Sequence, residues 1–150
     1  MTGTNHGMTG AVIALLVREP LIAVPLSFIS HLVCDAIPHF GFPPTEKVLG
    51  KKFNRLLAID FVVAILLMIV IGALYPSARL RIWACMAAAA SPDIVWAYYY
   101  LYLAKIKRQK FKFDPVTRFL KWIQWSETKK GAYVEVVWFL VMGALVIAGK

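Results

Sequence analysis

Long apolar stretches dominate this chain and limit what it can fold into. Four of them, at about 20–37, 55–75, 80–104 and 131–149, are close to or above the ~20 residues that an α-helix needs to cross a ~30 Å hydrocarbon core. A shorter apolar run at about 3–17 precedes them and predicts a thin or tilted crossing. We therefore predict a single all-α domain, an integral membrane bundle of four to five transmembrane helices, over residues 1–150.

The composition excludes most soluble classes of protein. Apolar residues make up 60% of the chain and charged residues 17%, whereas soluble domains are nearer 45–50% and ~25%. A chain of 150 residues has too little interior to bury so much apolar surface. The net charge of +9 does not indicate a nucleic-acid partner, because the Lys and Arg residues lie in loops between the apolar runs.

The basic residues also predict the orientation in the membrane. The loops at 38–55 and 105–130 carry thirteen Lys and Arg residues between them, nine in the second loop. Loops rich in Lys and Arg stay on the cytoplasmic side. We therefore expect both loops to be cytoplasmic, in a bacterial inner (cytoplasmic) membrane.

The second basic loop is expected to contain an interfacial helix at about 115–125. Asp114 and Pro115 form a typical helix start, with a capping residue followed by proline. Such a helix would lie among the headgroups and bind anionic lipid through its bases, which makes membrane lipids the predicted partner. A plain connector is the alternative. The predicted membrane-facing arc contains Val116, Phe119, Leu120 and Ile123, and the opposite polar arc contains Thr117, Arg118, Lys121 and Gln124.

Titratable residues inside the apolar runs indicate where the chemistry lies. Such groups are costly at membrane depth, so they normally face the bundle interior and have partners. With ~1.5 Å of rise per residue, all of them fall in the cytoplasmic half of the membrane. We therefore expect one polar site. The candidates are His6, His31, His39, Asp35, Asp60, Asp93 and Glu135.

Spacing within the second apolar run favours a metal ion. His31, Asp35 and His39 follow one another at intervals of four residues, which places them along one stripe of a helix. Pro38 is expected to end or kink that helix, so that His39 would enter from the following turn. Imidazole and carboxylate ligands suit zinc. We predict one or two divalent ions, most simply Zn²⁺, held by His31, Asp35 and either His39 or His6.

Two further carboxylates are candidates for catalysis. Asp93 follows Pro92, which opens the helical hydrogen-bond ladder, and it would be a further metal ligand or the base that takes a proton from water. Asp60 is the second candidate, with pairing to Arg55 as the alternative. Glu135 either belongs to the site or pairs with a lysine of the preceding loop.

Three short strings resemble a family of membrane enzymes. They are His6-Gly-Met-Thr-Gly10, Ser30-His31-Leu-Val-Cys-Asp35-Ala-Ile-Pro38-His39 and Ser91-Pro92-Asp93. They are similar to strings in the small membrane-bound metal-dependent hydrolases known as LexA-binding inner-membrane hydrolases, which are loosely similar to zinc-dependent phospholipases C. The family's His-Arg-Gly-x-Thr-His-Ser string is absent here. The resemblance implies hydrolase activity and a metal bound by His6, His31, Asp35, His39 and Asp93.

These observations lead to one main hypothesis and two alternatives. The main hypothesis is a metal-dependent hydrolase that acts on a lipid or another amphiphilic ester or phosphoester near the cytoplasmic face. The first alternative is a cation or proton transporter that uses the same His and Asp cluster. The second is a non-catalytic membrane interaction protein in which the cluster fixes helix packing. The substrate, the bond cleaved and the oligomeric state are left open.

Overall fold

The structure, a computed structural model, describes residues 1–41, 50–99, 102 and 114–149. The predicted all-helical class is confirmed for these residues. Lys47, the basic residues at 105–113 and the predicted end of the helix at 80–104 lie outside the described residues. The helices are α1 (Gly3–Leu16), α2 (Pro20–Ala36), α3 (Lys51–Leu74), α4 (Arg79–Ala90), α5 (Asp93–Ala97), α6 (Pro115–Ile123) and α7 (Gly131–Ala148).

The first helix, α1, lies at the centre of the bundle. Ten of its fourteen residues are buried, and it contacts α2, α3, α4 and α7. Gly10 allows the close approach to α4, because a Cβ atom there would lie 2.4 Å from the carbonyl oxygen of Cys85. The apolar core around this contact contains Met8, Ala11, Val12, Ile82 and Met86.

Two of the described helices are long and apolar enough to cross a membrane. They are α3, with 24 residues, and α7, with 18. The apolar helix α2 is shorter, at 17 residues. Large apolar side chains on all three face outward: Leu21 is 83% exposed, Phe61 66% and Leu140 63%. Of the four to five predicted spans, helix length alone therefore supports two.

Acidic side chains from α3 and α7 satisfy the N-terminus of α1. The backbone N–H groups of Gly3 and Thr4 donate to the carboxylate of Asp60, at 2.8 and 3.1 Å. The backbone N–H of Thr2 donates to Glu135, at 3.0 Å. Exposed helix N–H groups and the helix dipole both favour anions at this end. The two acids therefore fix where α1 begins.

An arginine performs the complementary task at the other end of α1. Arg81 donates from Nε to the carbonyl of Ala14 and from Nη1 to the carbonyl of Arg18, both at 2.9 Å. The last carbonyls of a helix have no partner within the helix, and a cation is favourable beside them. The partial positive charge at the start of α1 thus lies beside two carboxylates, and the partial negative charge at its end lies beside a guanidinium group.

The helix predicted at 80–104 is interrupted. Its first part, α4, ends at Ala90, a turn follows at Ser91 and Pro92, and α5 begins at Asp93. Proline has no N–H to donate to the carbonyl of Ala88, so the regular ladder stops there. The N–H and the hydroxyl of Ser91 donate to that carbonyl instead, at 3.3 and 2.8 Å.

The start of α6 confirms the predicted cap. The carboxylate of Asp114 accepts a hydrogen bond from the N–H of Thr117, at 2.9 Å, as a helix-capping residue does. The hydroxyl of Tyr99 also donates to it. The Tyr99 hydroxyl, followed by the Thr117 N–H, lowers the pKa of Asp114 below the usual range of an aspartate.

The predicted orientation of α6 is wrong for residues of both the polar and the apolar arc. Thr117 was expected on the outward polar arc, but it is fully buried. Leu120 and Ile123 were expected to face the membrane, but both are buried against the protein. The two-arc pattern assumes that only lipid and water contact the helix, whereas α6 also packs on α2. The apolar side chains that remain exposed are Val116, Phe119 and Trp122, with Trp125 just beyond the helix.

Candidate metal centre

Three helices bring four of the predicted site residues together. His6 lies on α1, His31 and Asp35 lie one turn apart on α2, and Asp93 is the first residue of α5. The contacts of α1 and α2 with each other and with α4 place their buried faces around one point. The turn at Pro92 brings Asp93 to the same place.

Asp35 is the centre of this cluster. Its Oδ1 atom lies 3.1 Å from Nε2 of His6 and also contacts the amino group of Met1. Its Oδ2 atom lies 3.2 Å from Nε2 of His31 and 2.9 Å from Nε2 of Gln124. Asp35 and both histidines are almost fully buried. A buried carboxylate needs such partners, because burial without them would be costly.

The hydrogen bond of His31 to the backbone determines its tautomer. Nδ1 of His31 lies 2.8 Å from the carbonyl oxygen of Ala89, and a carbonyl can only accept. Nδ1 therefore carries the hydrogen, and neutral His31 presents a lone pair at Nε2. Histidine ligands of metals are held in this way, with the second ring nitrogen donating to a carbonyl or carboxylate.

The atoms around Nε2 of His31 form a group that could hold a metal ion. Ligand atoms of His6, His31 and Asp93 lie within 4.8 Å of one another. Nε2 of His31 is 3.9 Å from Oδ1 of Asp93 and closer still to Oδ2 of Asp35. A lone pair that faces two carboxylates in a buried site needs a proton or a cation between them. The donor set of nitrogen and oxygen atoms fits a divalent metal.

A second feature of the cluster points the same way. Nδ1 of His6 is buried and has no hydrogen-bond partner within the described part of the chain. The His6 ring stacks on the His31 ring, with centroids 3.8 Å apart and planes at 19°. Stacking holds both rings with their Nε2 atoms toward Asp35. The side chain of Asp93 is 36% exposed, so the cluster is open on that side.

His39 lies apart from this group. Pro38 ends α2 at Ala36, and the backbone turns toward the segment after α6. Nδ1 of His39 donates to the carbonyl of Ile37 at 2.7 Å, and Nε2 is 3.6 Å from Oε1 of Glu127. The metal-ligand role predicted for His39 stays a prediction, and the geometry assigns it Glu127 as a neighbour instead.

The carboxylates of Asp60 and Glu135 lie at the same end of the bundle, where both contact the N-terminus of α1. Their carboxylates accept hydrogen bonds from the first residues of that helix, as described above. The catalytic role predicted for Asp60 stays a prediction. Its observed contacts are those of a helix-capping residue.

The predicted position of Gln124 on the outward polar arc of α6 is wrong. Gln124 turns inward and donates to Asp35. The capping residues and the periodicity of an amphipathic helix predict where the helix begins and how long it is. They do not predict whether a neighbouring helix covers one of its sides. Glu127 was missed for the same reason, because its contact with His39 depends on two loops meeting.

No family model, no curated protein and no solved structure matches the chain. What the protein does is therefore inferred from the geometry of its own residues.

Proposed function

We propose that this chain is an integral membrane protein with a zinc-type site near the cytoplasmic face, and that it hydrolyses a lipid or another amphiphilic ester or phosphoester. One observation carries this proposal. His6, His31, Asp35 and Asp93, from three helices, converge on one point, and the bond from His31 to Ala89 leaves its Nε2 atom directed into that point.

The distribution of apolar surface supports a place within the membrane. Exposed Leu, Ile, Val and Phe side chains cover the outward faces of α2, α3 and α7. Monomeric soluble proteins rarely expose apolar surface on this scale. In this arrangement α1 and the α4–α5 pair complete a five-crossing bundle, with α1 shielded from lipid. The basic loops orient the metal centre toward the cytoplasm.

The degree of burial favours different roles for the residues of the cluster, namely metal binding or proton transfer. Asp35, His31 and His6 are buried and held by several contacts, so they are suited to bind the ion. Asp93 is partly exposed and lies at the open side, so it is suited to accept a proton from an incoming water. A Zn²⁺ ion bound here would supply Lewis acidity and lower the pKa of water toward ~7.

The neighbouring surface supports an amphiphilic substrate. The outward side of α6 exposes Phe119 and Trp122, whose rings stack with centroids 6.1 Å apart. Aromatic side chains of this kind lie among lipid headgroups. Gln124, at the end of the same helix, touches Asp35. A lipid headgroup beside α6 is therefore close to the proposed metal.

Metal analysis of the detergent-purified chain tests the proposal. We expect stoichiometric zinc in the parent protein and its loss in His31→Ala and in the isosteric Asp35→Asn. Ser27→Ala is the matched control, because Ser27 is buried on α2 one turn before His31 and its hydroxyl donates to the carbonyl of Ala23. It should keep its zinc. Circular dichroism confirms that each variant is folded.

Hydrolysis is measured separately, on phospholipid in mixed micelles with added Zn²⁺. Product release by the parent and its loss in Asp93→Asn support the enzyme. A parent that binds no metal, with variants that only melt earlier, overturns the proposal in favour of a packing cluster. Metal binding without hydrolysis, but with cation flux in proteoliposomes, overturns it in favour of a transporter.

A further inference from the structure

Gln124 links α6 to the candidate metal centre. Its side-chain nitrogen lies 2.9 Å from Oδ2 of Asp35, although the two residues are 89 positions apart. An ionised carboxylate can only accept, so the carboxamide must present its N–H group to Asp35. Oδ2 is also the oxygen that faces Nε2 of His31. Gln124 thus contacts the carboxylate on the side where the proposed metal would be bound.

The backbone around Gln124 is tied to the end of α2, which carries Asp35. The hydroxyl of Ser126 donates to the carbonyl of Ala36 at 3.4 Å. The N–H of Thr128 donates to the carbonyl of His39 at 3.0 Å, and the same strand-like pair continues to Gly41. The carboxamide and the carboxylate are therefore held by one connected unit, rather than by a side chain that reaches across open space.

The glycine at the start of α7 shows how closely the two segments pack. A Cβ atom at Gly131 would lie 2.0 Å from the carbonyl oxygen of His39. Any larger residue there would push the segment after α6 away from the end of α2. Since Gln124 lies at the other end of this segment, its distance to Asp35 depends on the same packing.

We propose that Gln124 is a positioning residue for the metal centre, which orients the carboxylate of Asp35 toward the bound ion. The inference depends on the proposed metal site. A carboxylate bound through one oxygen can rotate, and a hydrogen bond from a fixed donor removes that freedom. Loss of such supporting bonds typically lowers metal affinity by about 10- to 100-fold.

Cobalt binding by the detergent-purified full chain tests this role without an assay of activity. Co²⁺ alone is titrated into the metal-free protein, and its visible absorption gives both the affinity and the symmetry of the site. Gln124→Met keeps the length of the side chain and removes the donor. We expect about 10- to 100-fold weaker binding and an altered absorption band, with an unchanged melting temperature.

Two more variants complete the experiment. Ser27→Ala removes a buried hydroxyl on α2 that donates to the carbonyl of Ala23, and it should bind Co²⁺ like the parent. Gln124→Asn keeps the carboxamide on a side chain one methylene shorter, and we expect an affinity between those of the parent and Gln124→Met. It serves as the test if Gln124→Met does not fold.

The outcomes separate the two proposals. Parent protein that fails to bind Co²⁺ overturns the metal site and the role of Gln124 with it. Parent protein that binds, together with Gln124 variants that bind equally tightly and with the same spectrum, overturns the role of Gln124 alone.

Discussion

Nδ1 of His31 donates a hydrogen bond to the carbonyl oxygen of Ala89, across the contact between α2 and α4. The bond joins a proposed metal ligand to the last turn of α4, directly before the break at Pro92. In an uninterrupted helix this carbonyl would accept from the N–H of residue 93. The helix break therefore has two effects, because it provides an acceptor for His31 and it places Asp93 beside the histidine.

Pro92→Ala is expected to weaken metal binding while leaving the fold intact. Alanine would supply an N–H for the carbonyl of Ala88 and favour a continuous helix. The N–H of Asp93 would then compete with His31 for Ala89. We expect about tenfold weaker Co²⁺ binding, or weaker still.

Pro25→Ala is the matched control for that experiment. Pro25 also lies inside an apolar helix, but its side chain is exposed and it belongs to the first half of α2. Its replacement should improve helix propensity without changing the affinity for Co²⁺. Equal affinity in Pro92→Ala and the parent would show that the helix break does not set the geometry of the site.

Asp60→Asn is expected to destabilise the protein. The change removes the charge that faces the N–H groups of Gly3 and Thr4 and turns one acceptor into a donor. Hydrogen bonds to charged groups contribute about 1.5–3 kcal/mol each, so the melting temperature in detergent should fall by several degrees. Metal content should be retained. A loss of hydrolysis at unchanged stability would instead support the catalytic role predicted for Asp60 from the sequence.

Much of the fold could be predicted because the helices follow local composition. Pro20 starts α2 and Pro38 limits its end, and the apolar run before Lys150 matches α7 to within a residue. His31 and Asp35 must share a face at a spacing of four residues, whatever surrounds them. The depth of each acid along its helix also follows from a fixed rise per residue.

The remaining features depend on contacts between distant segments. The depth calculation places Asp60 and Glu135 correctly at one end of the bundle, yet it cannot tell that they face the N-terminus of α1 rather than the histidines. His39 neighbours Glu127 because the chain after Pro38 pairs with Thr128 instead of continuing the helix of His31 and Asp35. Gln124 could not be found by periodicity, since α6 has a third side that packs on protein.

Gly10→Ala is expected to separate α1 from α4. The new methyl group would lie 2.4 Å from the carbonyl oxygen of Cys85, and backbone cannot move aside without shifting a helix. Overpacking of this kind costs about 1–3 kcal/mol. Gly143→Ala is the control. Among the described residues its Cβ atom would meet only Met8, at 4.0 Å, and the substitution gains up to about 1 kcal/mol of helix propensity. Equal melting temperatures of the two variants would contradict the close packing at Gly10.

The cap of α6 is expected to fail only in acid. The hydroxyl of Tyr99 and the N–H of Thr117 stabilise the ionised form of Asp114, which lowers its pKa in the folded protein. A lowered pKa means that the stabilising contribution is complete above the unfolded value of about 4 and is lost as the pH falls through the folded value. The first turn of α6 should therefore loosen below about pH 4. Fluorescence of the exposed Trp122 reports the change, and Trp122→Phe identifies its share of the signal.

Two variants determine whether Asp114 is the group responsible for that transition. Asp114→Asn keeps a capping side chain that does not titrate, so the acid transition at α6 should disappear. Tyr99→Phe removes the largest cause of the lowered pKa, so the transition should move to higher pH. If α6 of Asp114→Asn loosens at the same pH as in the parent, another carboxylate controls the stability of this helix. Protonation of Asp114 is then not the cause of the transition.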